Sequence, residues 1–210
     1  MQSTDRPTTS RILVVDLEAT CTDESSSHEY ANEIIEIGAC WWSDSEAAPS
    51  LRFQTFVKPT RNPLLTSFCK ELTGIRQEDV DTAPSFSGAA SLLRKFVTAY
   101  QQPHSFWTSW GAWDQRQLAL DCGFYGLADP IALPHVNGKR WFSKARGGIK
   151  DVGLRKACEL AGMEFEGAHH RALDDALNVA KLLSLLISSA SPPLLCSHLD
   201  NRGFGQPGPA

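Results

Sequence analysis

The sequence lacks the features that mark secreted and membrane-spanning proteins. Its 210 residues include only six cysteines, with no CxxC pair and no regular spacing. This pattern argues against a disulfide framework or a zinc site and favours incidental thiols in a reducing compartment. The amino-terminal stretch MQSTDRPTTSR has no apolar signal-peptide region, and no run approaches the roughly 18 uninterrupted apolar residues of a membrane span. We therefore expect a cytoplasmic protein with no membrane partner.

An excess of basic residues is also missing. The chain carries 20 Lys and Arg against 24 Asp and Glu, for a formal net charge of −4. This balance argues against a protein whose whole surface binds nucleic acid electrostatically. It leaves open a local basic groove, and a site in which bound metal ions neutralise clustered carboxylates.

What is present is the composition of an ordinary globular domain. The chain is 42% hydrophobic and 21% charged, and its length suits one domain with a substantial core. We expect residues 11–190 to form that domain. The polar stretch 1–10 has the composition of a disordered terminus, and the Pro- and Gly-rich stretch 191–210 that of a loosely packed tail.

Hydrophobic patterns predict strands first and helices afterwards. Apolar and alternating runs predict strands at 11–15, 33–42, 52–59 and 104–111, the first three joined by links short enough for an antiparallel meander. Helical spacing and cap residues predict helices at 67–73, 85–100, 113–123, 151–162 and 171–189, the fourth capped by Asp151. This order indicates an α/β or α+β architecture with a mixed sheet.

Two carboxylates follow the first apolar run, in the stretch VVDLEAT. Since side chains alternate along a strand, Asp16 and Glu18 should point to the same side. Two close carboxylates raise each other's pKa unless a cation lies between them, and oxygen ligands of this kind hold Mg²⁺ or Mn²⁺. A strand end that has simply reached solvent would explain the pair equally well.

The stretch WGAWDQRQL places a carboxylate at the start of a predicted helix. A helix N-cap is a sufficient explanation for Asp114 in this position. The neighbouring Trp110 and Trp113 add interest, because an aromatic ring beside a carboxylate at a strand end can stack on a base. Core packing is the alternative role of these rings.

The last predicted helix begins beside two adjacent histidines and two adjacent aspartates, in HHRALDDALNVAKLL. Asp175 shares a helical stripe with Val179, Leu182 and Leu186, which is apolar and should face the core. A carboxylate at the top of a buried stripe needs a hydrogen-bonding partner or a metal ion.

Asp174 lies on a different stripe, with Asn178 and Lys181, which is polar and should face water. It therefore has an adequate surface role, including a contact with Asn178 one turn further on. His170, at the start of the helix, is suited to act as a neutral general base near physiological pH. A histidine bonded only to the backbone is the structural alternative.

Acidic residues from a first strand, a middle helix start and a late helix, plus one histidine, are what a two-metal phosphodiester hydrolase requires. The motifs DLEAT, WGAWDQRQL and HHRALDDALNVAKLL, in this order, resemble those of the DEDDh family of 3′-to-5′ exonucleases. The stretches VVDLEATC, SFCKELTGIRQEDVD and GLRKACELAGMEFEGAHHRALDDALNVA are similar to its Eri1-like branch. That branch contains 3′-histone-mRNA exonuclease-like proteins and bacterial predicted exonucleases labelled as sporulation-kinase pathway inhibitors.

The resemblance implies a ribonuclease H-like α/β fold with a central mixed five-stranded sheet, three antiparallel strands followed by parallel strands, flanked by helices. It also implies two Mg²⁺ ions, for which Mn²⁺ can substitute. Asp16, Glu18 and Asp175 would bind one ion directly, Asp16 would also bridge to the second, and Asp114 would act mostly through water.

In this family the histidine precedes its aspartate by five positions. That spacing allows His170 with Asp175, or His169 with Asp174, and the stripe argument prefers the first pair. The resemblance therefore implies that His170 deprotonates the attacking water, and we expect His169 and Asp174 to have ordinary surface or local structural roles.

The resemblance also implies a binding site for the 3′-terminal nucleotide. Phe68 and Trp113 match two aromatic residues that sandwich the terminal base in Eri1-like enzymes, although core packing is the alternative role of Phe68. Backbone around Ala19 and Thr20 would approach the terminal sugar, and His170 would also contact the substrate.

The implied activity is 3′-to-5′ hydrolysis of single-stranded RNA, with DNA left open, to release 5′-mononucleotides. Five basic residues interleaved with Trp141 and Phe142 would form a rim for the incoming strand, with a solvated loop as the alternative: Lys139, Arg140, Lys144, Arg146 and Lys150. The competing function is a catalytically silent nuclease-fold module that regulates a protein partner. Such a module is expected to have lost site residues, and all five are present.

Overall fold

The computed structural model describes residues 11–23 and 32–189. The predicted disordered terminus 1–10 and the predicted tail 191–210 lie outside these residues. The strands are β1 (Ile12–Ala19), β2 (Ile34–Trp42), β3 (Arg52–Phe56), β4 (Phe106–Ser109) and β5 (His135–Asn137). The helices are α1 (Ser67–Thr73), α2 (Gln77–Asp81), α3 (Phe86–Tyr100), α4 (Trp113–Phe124), α5 (Gly138–Ala145), α6 (Leu154–Leu160) and α7 (Ala172–Ser189).

The five strands form a mixed sheet in the order β3-β2-β1-β4-β5. β1 pairs antiparallel with β2, and β2 antiparallel with β3, whereas β4 runs parallel to β1 and β5 parallel to β4. Parallel neighbours need long crossover connections, and helices α1 to α3 and then α4 lie in the two crossovers. The predicted mixed sheet, antiparallel first and then parallel, is confirmed.

β1 lies at the centre of the sheet and is buried on both faces. Ile12 and Val14 pack in the core that includes α6 and α7, while Leu13, Val15 and Leu17 pack in the core that includes α3 and α4. A strand covered on both faces needs apolar residues on both, which explains its continuous apolar run. Any polar side chain that continues the row of Ile12 and Val14 therefore points towards α7.

Three elements had no counterpart in the sequence predictions, namely α2, β5 and α5. β5 has only three residues, too few for a pattern to be recognised. α5 carries Lys139, Arg140 and Lys144, but Trp141 and Phe142 between them are buried in the core. A solvated loop is therefore the wrong interpretation for residues 138–145, because this stretch is an amphipathic helix.

The predicted Asp cap of α6 is also wrong. α6 begins at Leu154 after Gly153, with no side-chain hydrogen bond at its cap, because residues 149–153 stay irregular and leave Asp151 too far away. The prediction for α1 is confirmed: the Thr66 side chain accepts a hydrogen bond from Cys69 N–H, and Gly74 ends the helix at a φ of 67°.

Five described cysteines are free thiols: Cys21, Cys40, Cys69, Cys122 and Cys158. Among the helices within residues 11–23 and 32–189, none combines the length and the apolar character needed to cross a bilayer.

Candidate active site

Two carboxylates continue the α7-facing row of β1. Glu18 is buried and Asp16 is partly buried, and they follow Ile12 and Val14 at two-residue spacing, as side-chain alternation requires. The predicted shared orientation is confirmed. The alternative, a strand end that has reached solvent, is wrong because β1 runs on to Ala19 and stays largely buried.

Helix α7 brings a third carboxylate to the same place. Val179, Leu182 and Leu186 are buried in the core, as the apolar stripe predicts, and Asp175 at the top of that stripe is only 4% exposed. Carboxylate oxygens of Asp16, Glu18 and Asp175 all lie within 4.8 Å of one another. Residues far apart in the sequence thus form one compact group of acceptors.

The electrostatics of this group suit a cation. Burial, followed by repulsion from the other carboxylates, raises the pKa of Asp16 well above its usual value and raises the pKa of Glu18 to about 9. Burial also raises the pKa of Asp175. Because close carboxylates share a site comfortably only when a cation lies between them, and because all three offer oxygen, the residues fit a hard divalent ion.

Asp114 reaches this group from the start of α4. The N-cap of α4 is Ala112, so the N-cap explanation is wrong. One oxygen of Asp114 instead accepts a hydrogen bond of 3.1 Å from Leu17 N–H in β1. Burial raises the pKa of Asp114 to about 6, while hydrogen bonds from Ser109 and from the backbone act in the opposite direction.

Ser109 connects Asp114 to a histidine on the edge strand. The Ser109 hydroxyl lies 3.0 Å from His135 Nε2, and burial lowers the pKa of His135 to about 4. The neutral His135 imidazole is therefore a hydrogen-bonding partner of the same Ser109 hydroxyl that hydrogen-bonds Asp114. The sequence contains no motif signal for His135, which becomes relevant only because β5 pairs with β4.

His170 lies at the edge of the carboxylate group. Its backbone N–H donates a 3.1 Å hydrogen bond to Asp175, and its Nδ1 is 3.9 Å from a Glu18 oxygen. The residue adopts a left-handed conformation with a φ of 64°, which is uncommon outside glycine and is found at sites held by surrounding structure. Burial, and then the neighbouring His169, lower the pKa of His170, which favours the neutral ring.

His169 is not an ordinary surface residue, and its contact with Asp175 is of the local structural kind that was the other expected role. Its Nδ1 lies 3.1 Å from both carboxylate oxygens of Asp175, and its ring stacks on His170 with a centroid distance of 4.0 Å. The helical stripe identified Asp175 but carried no information on this contact. The turn before α7, with His170 in its left-handed conformation, brings the His169 ring back to the helix.

The expected water-facing role of the Asp174 stripe is only partly correct. Asp174 accepts a 2.8 Å hydrogen bond from Ala168 N–H, which is a local structural role. Asn178 on the same stripe is 0% exposed, because it exchanges hydrogen bonds with the backbone N–H and C=O of Glu166. The segment before α7 folds over this face of the helix, which periodicity alone does not predict.

An ion pair between buried Glu36 and partly exposed Arg171 holds the start of α7 against the sheet. Glu36, opposite Glu18 in the β1–β2 register, is 0% exposed and accepts hydrogen bonds of 3.2 and 3.0 Å from the Arg171 guanidinium. It also accepts a 3.1 Å bond from Ala172 N–H. At Gly38 a Cβ would overlap the backbone of Ala172, so the helix packs directly on β2. The sequence signal for Glu36 was a charge inside the apolar run EIIEIG, which our predictions did not use.

An open cavity of about 340 Å³ lies over the carboxylates and both histidines. Trp110, Trp113 and Leu72 line it, as do the predicted residues Ala19 and Thr20. Phe68 does not line this cavity; it is a 37% exposed residue of α1, one turn before Leu72. Phe68 therefore lies outside the core, so the core alternative is wrong, but it is also outside the observed cavity wall.

The chain matches the Exonuclease family RNase_T over residues 13–183. It is 30% identical over 203 residues to the 3′-5′ exonuclease eri1 of Schizosaccharomyces pombe, covering 84% of this chain and 68% of that protein. It is also 30% identical over 200 residues to the probable 3′-5′ exonuclease KapD of Bacillus subtilis, covering 92% and 95% of the two chains. Of the longer ERI1 exoribonuclease 2 from Danio rerio, the chain spans only 35%.

Solved structures agree with these relatives. The nuclease domain of 3′hExo, described as a DEDDh family member bound to rAMP, superposes with a TM-score of 0.74 at 27% identity, covering 85% of this chain and 92% of that one. The expected fold and the expected Eri1-like branch are confirmed, and the chain belongs to the RNase_T exonuclease family.

Proposed function

We propose that this protein hydrolyses single-stranded RNA from the 3′ end, releases 5′-mononucleotides, and uses two divalent metal ions with His170 as general base. The observation that carries the proposal is that three carboxylates, two of them buried and one partly buried, and a histidine from distant segments meet in one open cavity. Membership of an exonuclease family supports the same reaction class.

Asp16, Glu18 and Asp175 would hold the Mg²⁺ ions, for which Mn²⁺ can substitute. When bound, such ions stabilise the charge that develops on the attacking and leaving oxygens. Asp114 has one oxygen already engaged by Leu17 N–H, which supports a role through water.

His170 would remove the proton from the attacking water. Its pKa is lowered mainly by burial, so the ring is neutral at pH 7 and can accept a proton. Its side chain is 38% exposed, which leaves the ring open to the cavity. Glu36 and Arg171 hold the helix start that follows it.

The terminal nucleotide would bind between the carboxylates and the aromatic wall. Trp113 offers a face for the terminal base, and Leu72, one turn after Phe68, lines the cavity whereas Phe68 does not. The backbone at Ala19 and Thr20 would approach the terminal sugar. RNA is the proposed substrate because the solved relative is described as bound to rAMP; DNA is the comparison to test.

A time course on 5′-labelled single-stranded RNA and DNA tests the proposal, in Mg²⁺, in Mn²⁺ and in EDTA. We expect a ladder of shortened 5′-labelled products with either ion, faster on RNA, and none in EDTA. Asp16→Ala should be inert, and the same change at exposed Asp23 should leave the rate unchanged. Absence of hydrolysis of both substrates with both ions would overturn the proposal.

The competing function, a silent module that regulates a protein partner, is not favoured. Such a module is expected to have lost catalytic residues, yet the carboxylates and His170 are present and line one cavity.

A further inference from the structure

A second group of potential metal ligands lies beside the carboxylates. His169, His170 and Asp175 each offer a ligand atom, and these atoms lie within 4.8 Å of one another. The two imidazoles stack at an interplanar angle of 26°, so one ring must rotate out of the stack before both nitrogen lone pairs can point at the same ion. This group shares Asp175 with the carboxylate group but contributes nitrogen rather than oxygen from its other two members.

The carboxylate group (Asp16, Glu18 and Asp175) and the histidine group (His169, His170 and Asp175) suit different metal ions. Carboxylate oxygens alone suit hard ions such as Mg²⁺, whereas two imidazoles with one carboxylate match zinc sites with an open fourth position. Two donors about 2.0–2.1 Å from a tetrahedral zinc lie roughly 3.3 Å apart. The separation between His169 Nδ1 and either Asp175 oxygen is already 3.1 Å, so little rearrangement is needed at this pair.

We propose that His169, His170 and Asp175 form a binding site for a borderline transition-metal ion, Zn²⁺ foremost, and that its occupancy inhibits the enzyme. The cysteine spacing argued against a zinc site, but it concerns cysteine ligands and does not bear on imidazole ligands. Both rings are accessible, with side chains 30% and 38% exposed. The ion would occupy the nitrogen lone pair of His170 and an oxygen of Asp175, two groups that hydrolysis needs; this inhibitory part rests on the proposed function.

A direct measurement of metal binding distinguishes the carboxylate group from the histidine group, because a single substitution can remove a ligand from one group and leave the other intact. Zn²⁺ affinity would be measured on the metal-free full chain by competition with a chromogenic chelator, in wild type, Asp16→Asn and His169→Gln. Asp16→Asn removes a carboxylate ligand but none of the histidine group. We expect it to keep the wild-type affinity, and His169→Gln to lose about 100-fold, since even an outer partner of a ligand is worth about 10–100-fold.

Co²⁺ gives a second readout that does not depend on activity. In Asp16→Asn, Co²⁺ should show the intense visible absorption of a four-coordinate site with nitrogen ligands, and in His169→Gln only weak absorption. Glu18→Gln can replace Asp16→Asn if that variant does not fold. Tight Zn²⁺ binding retained by His169→Gln and lost by Asp16→Asn would overturn the proposed site.

Inhibition is measured separately, as RNA hydrolysis in excess Mg²⁺ with increasing Zn²⁺. Relative to its own rate without Zn²⁺, His169→Gln should need about 100-fold more Zn²⁺ for half inhibition, in line with its lost affinity. Equal sensitivity of the two proteins would overturn the inhibitory role. Absence of any wild-type hydrolysis in Mg²⁺ would instead overturn the proposed function and leave the binding result standing.

Discussion

The buried carboxylate group should make the metal-free protein less stable as the pH rises, and Glu18→Gln should remove much of this effect. The pKa of Glu18 is raised from 4.5 to about 9, by burial first and then by neighbouring carboxylates. The folded protein therefore keeps a proton that the unfolded chain releases above pH 4.5. This contribution to stability is complete at low pH and is lost as the pH rises towards 9.

The size of this loss of stability follows from the pH range in which the unfolded chain has released the Glu18 proton and the folded protein still holds it. At pH 7, about 2.5 pH units above the unfolded value, proton retention costs about 3 kcal/mol at 1.36 kcal/mol per unit, and at pH 5 it costs less than about 1 kcal/mol. These values are upper limits for Glu18 alone, because Asp16 and Asp175 share the same repulsion. The glutamine side chain of the Glu18→Gln variant cannot ionise and resembles the protonated carboxyl group. The variant should therefore be more stable than wild type by up to about 3 kcal/mol at pH 7 and by less than about 1 kcal/mol at pH 5.

Urea unfolding in EDTA at pH 5 and pH 7 measures both differences, with Glu164→Gln as a matched control at an exposed position. Added Mg²⁺ should then stabilise wild type at pH 7 and stabilise Glu18→Gln less, because only the carboxylate binds the ion. If wild type and Glu18→Gln show the same change in unfolding free energy between the two pH values, the raised pKa of Glu18, inferred from its burial and its neighbouring carboxylates, is refuted.

Five further substitutions, in three comparisons, test the rest of the site. Asp175→Asn should abolish metal-dependent cleavage of labelled RNA, whereas Asp174→Asn keeps an acceptor for its backbone partner and should retain most of the rate; the reverse result contradicts the assignment. Arg171→Met removes the cation that pairs with the buried Glu36 carboxylate, which keeps its hydrogen bonds from Ala172 N–H and Gln54, and should lower the unfolding free energy by at most about 3–5 kcal/mol; adding Glu36→Gln should recover part of the loss in a double-mutant cycle. Gly38→Ala forces a methyl group into the first turn of α7 and should lower the melting temperature, with a cost of about 1–3 kcal/mol; an unchanged melting temperature would show that the helix can move away.

Local periodicity predicted much of the site because it reports which face a side chain occupies. Two-residue alternation aligned Asp16 with Glu18, and the helical repeat distinguished Asp175 from Asp174. Both inferences depend only on backbone geometry within one element. The same reasoning failed for Asn178, because a segment outside α7 covers it.

The sequence by itself therefore determined the order of the motifs, the family and the carboxylates that share a row. The tertiary structure decided the contacts between elements: His169 with Asp175 across the left-handed turn at His170, and Leu72 rather than Phe68 in the cavity wall. The bond between Glu36 and Arg171, 135 residues apart, is the clearest case. Such pairs depend on how strands and helices pack in three dimensions, whereas alternation and helical repeat are set by the backbone of a single element.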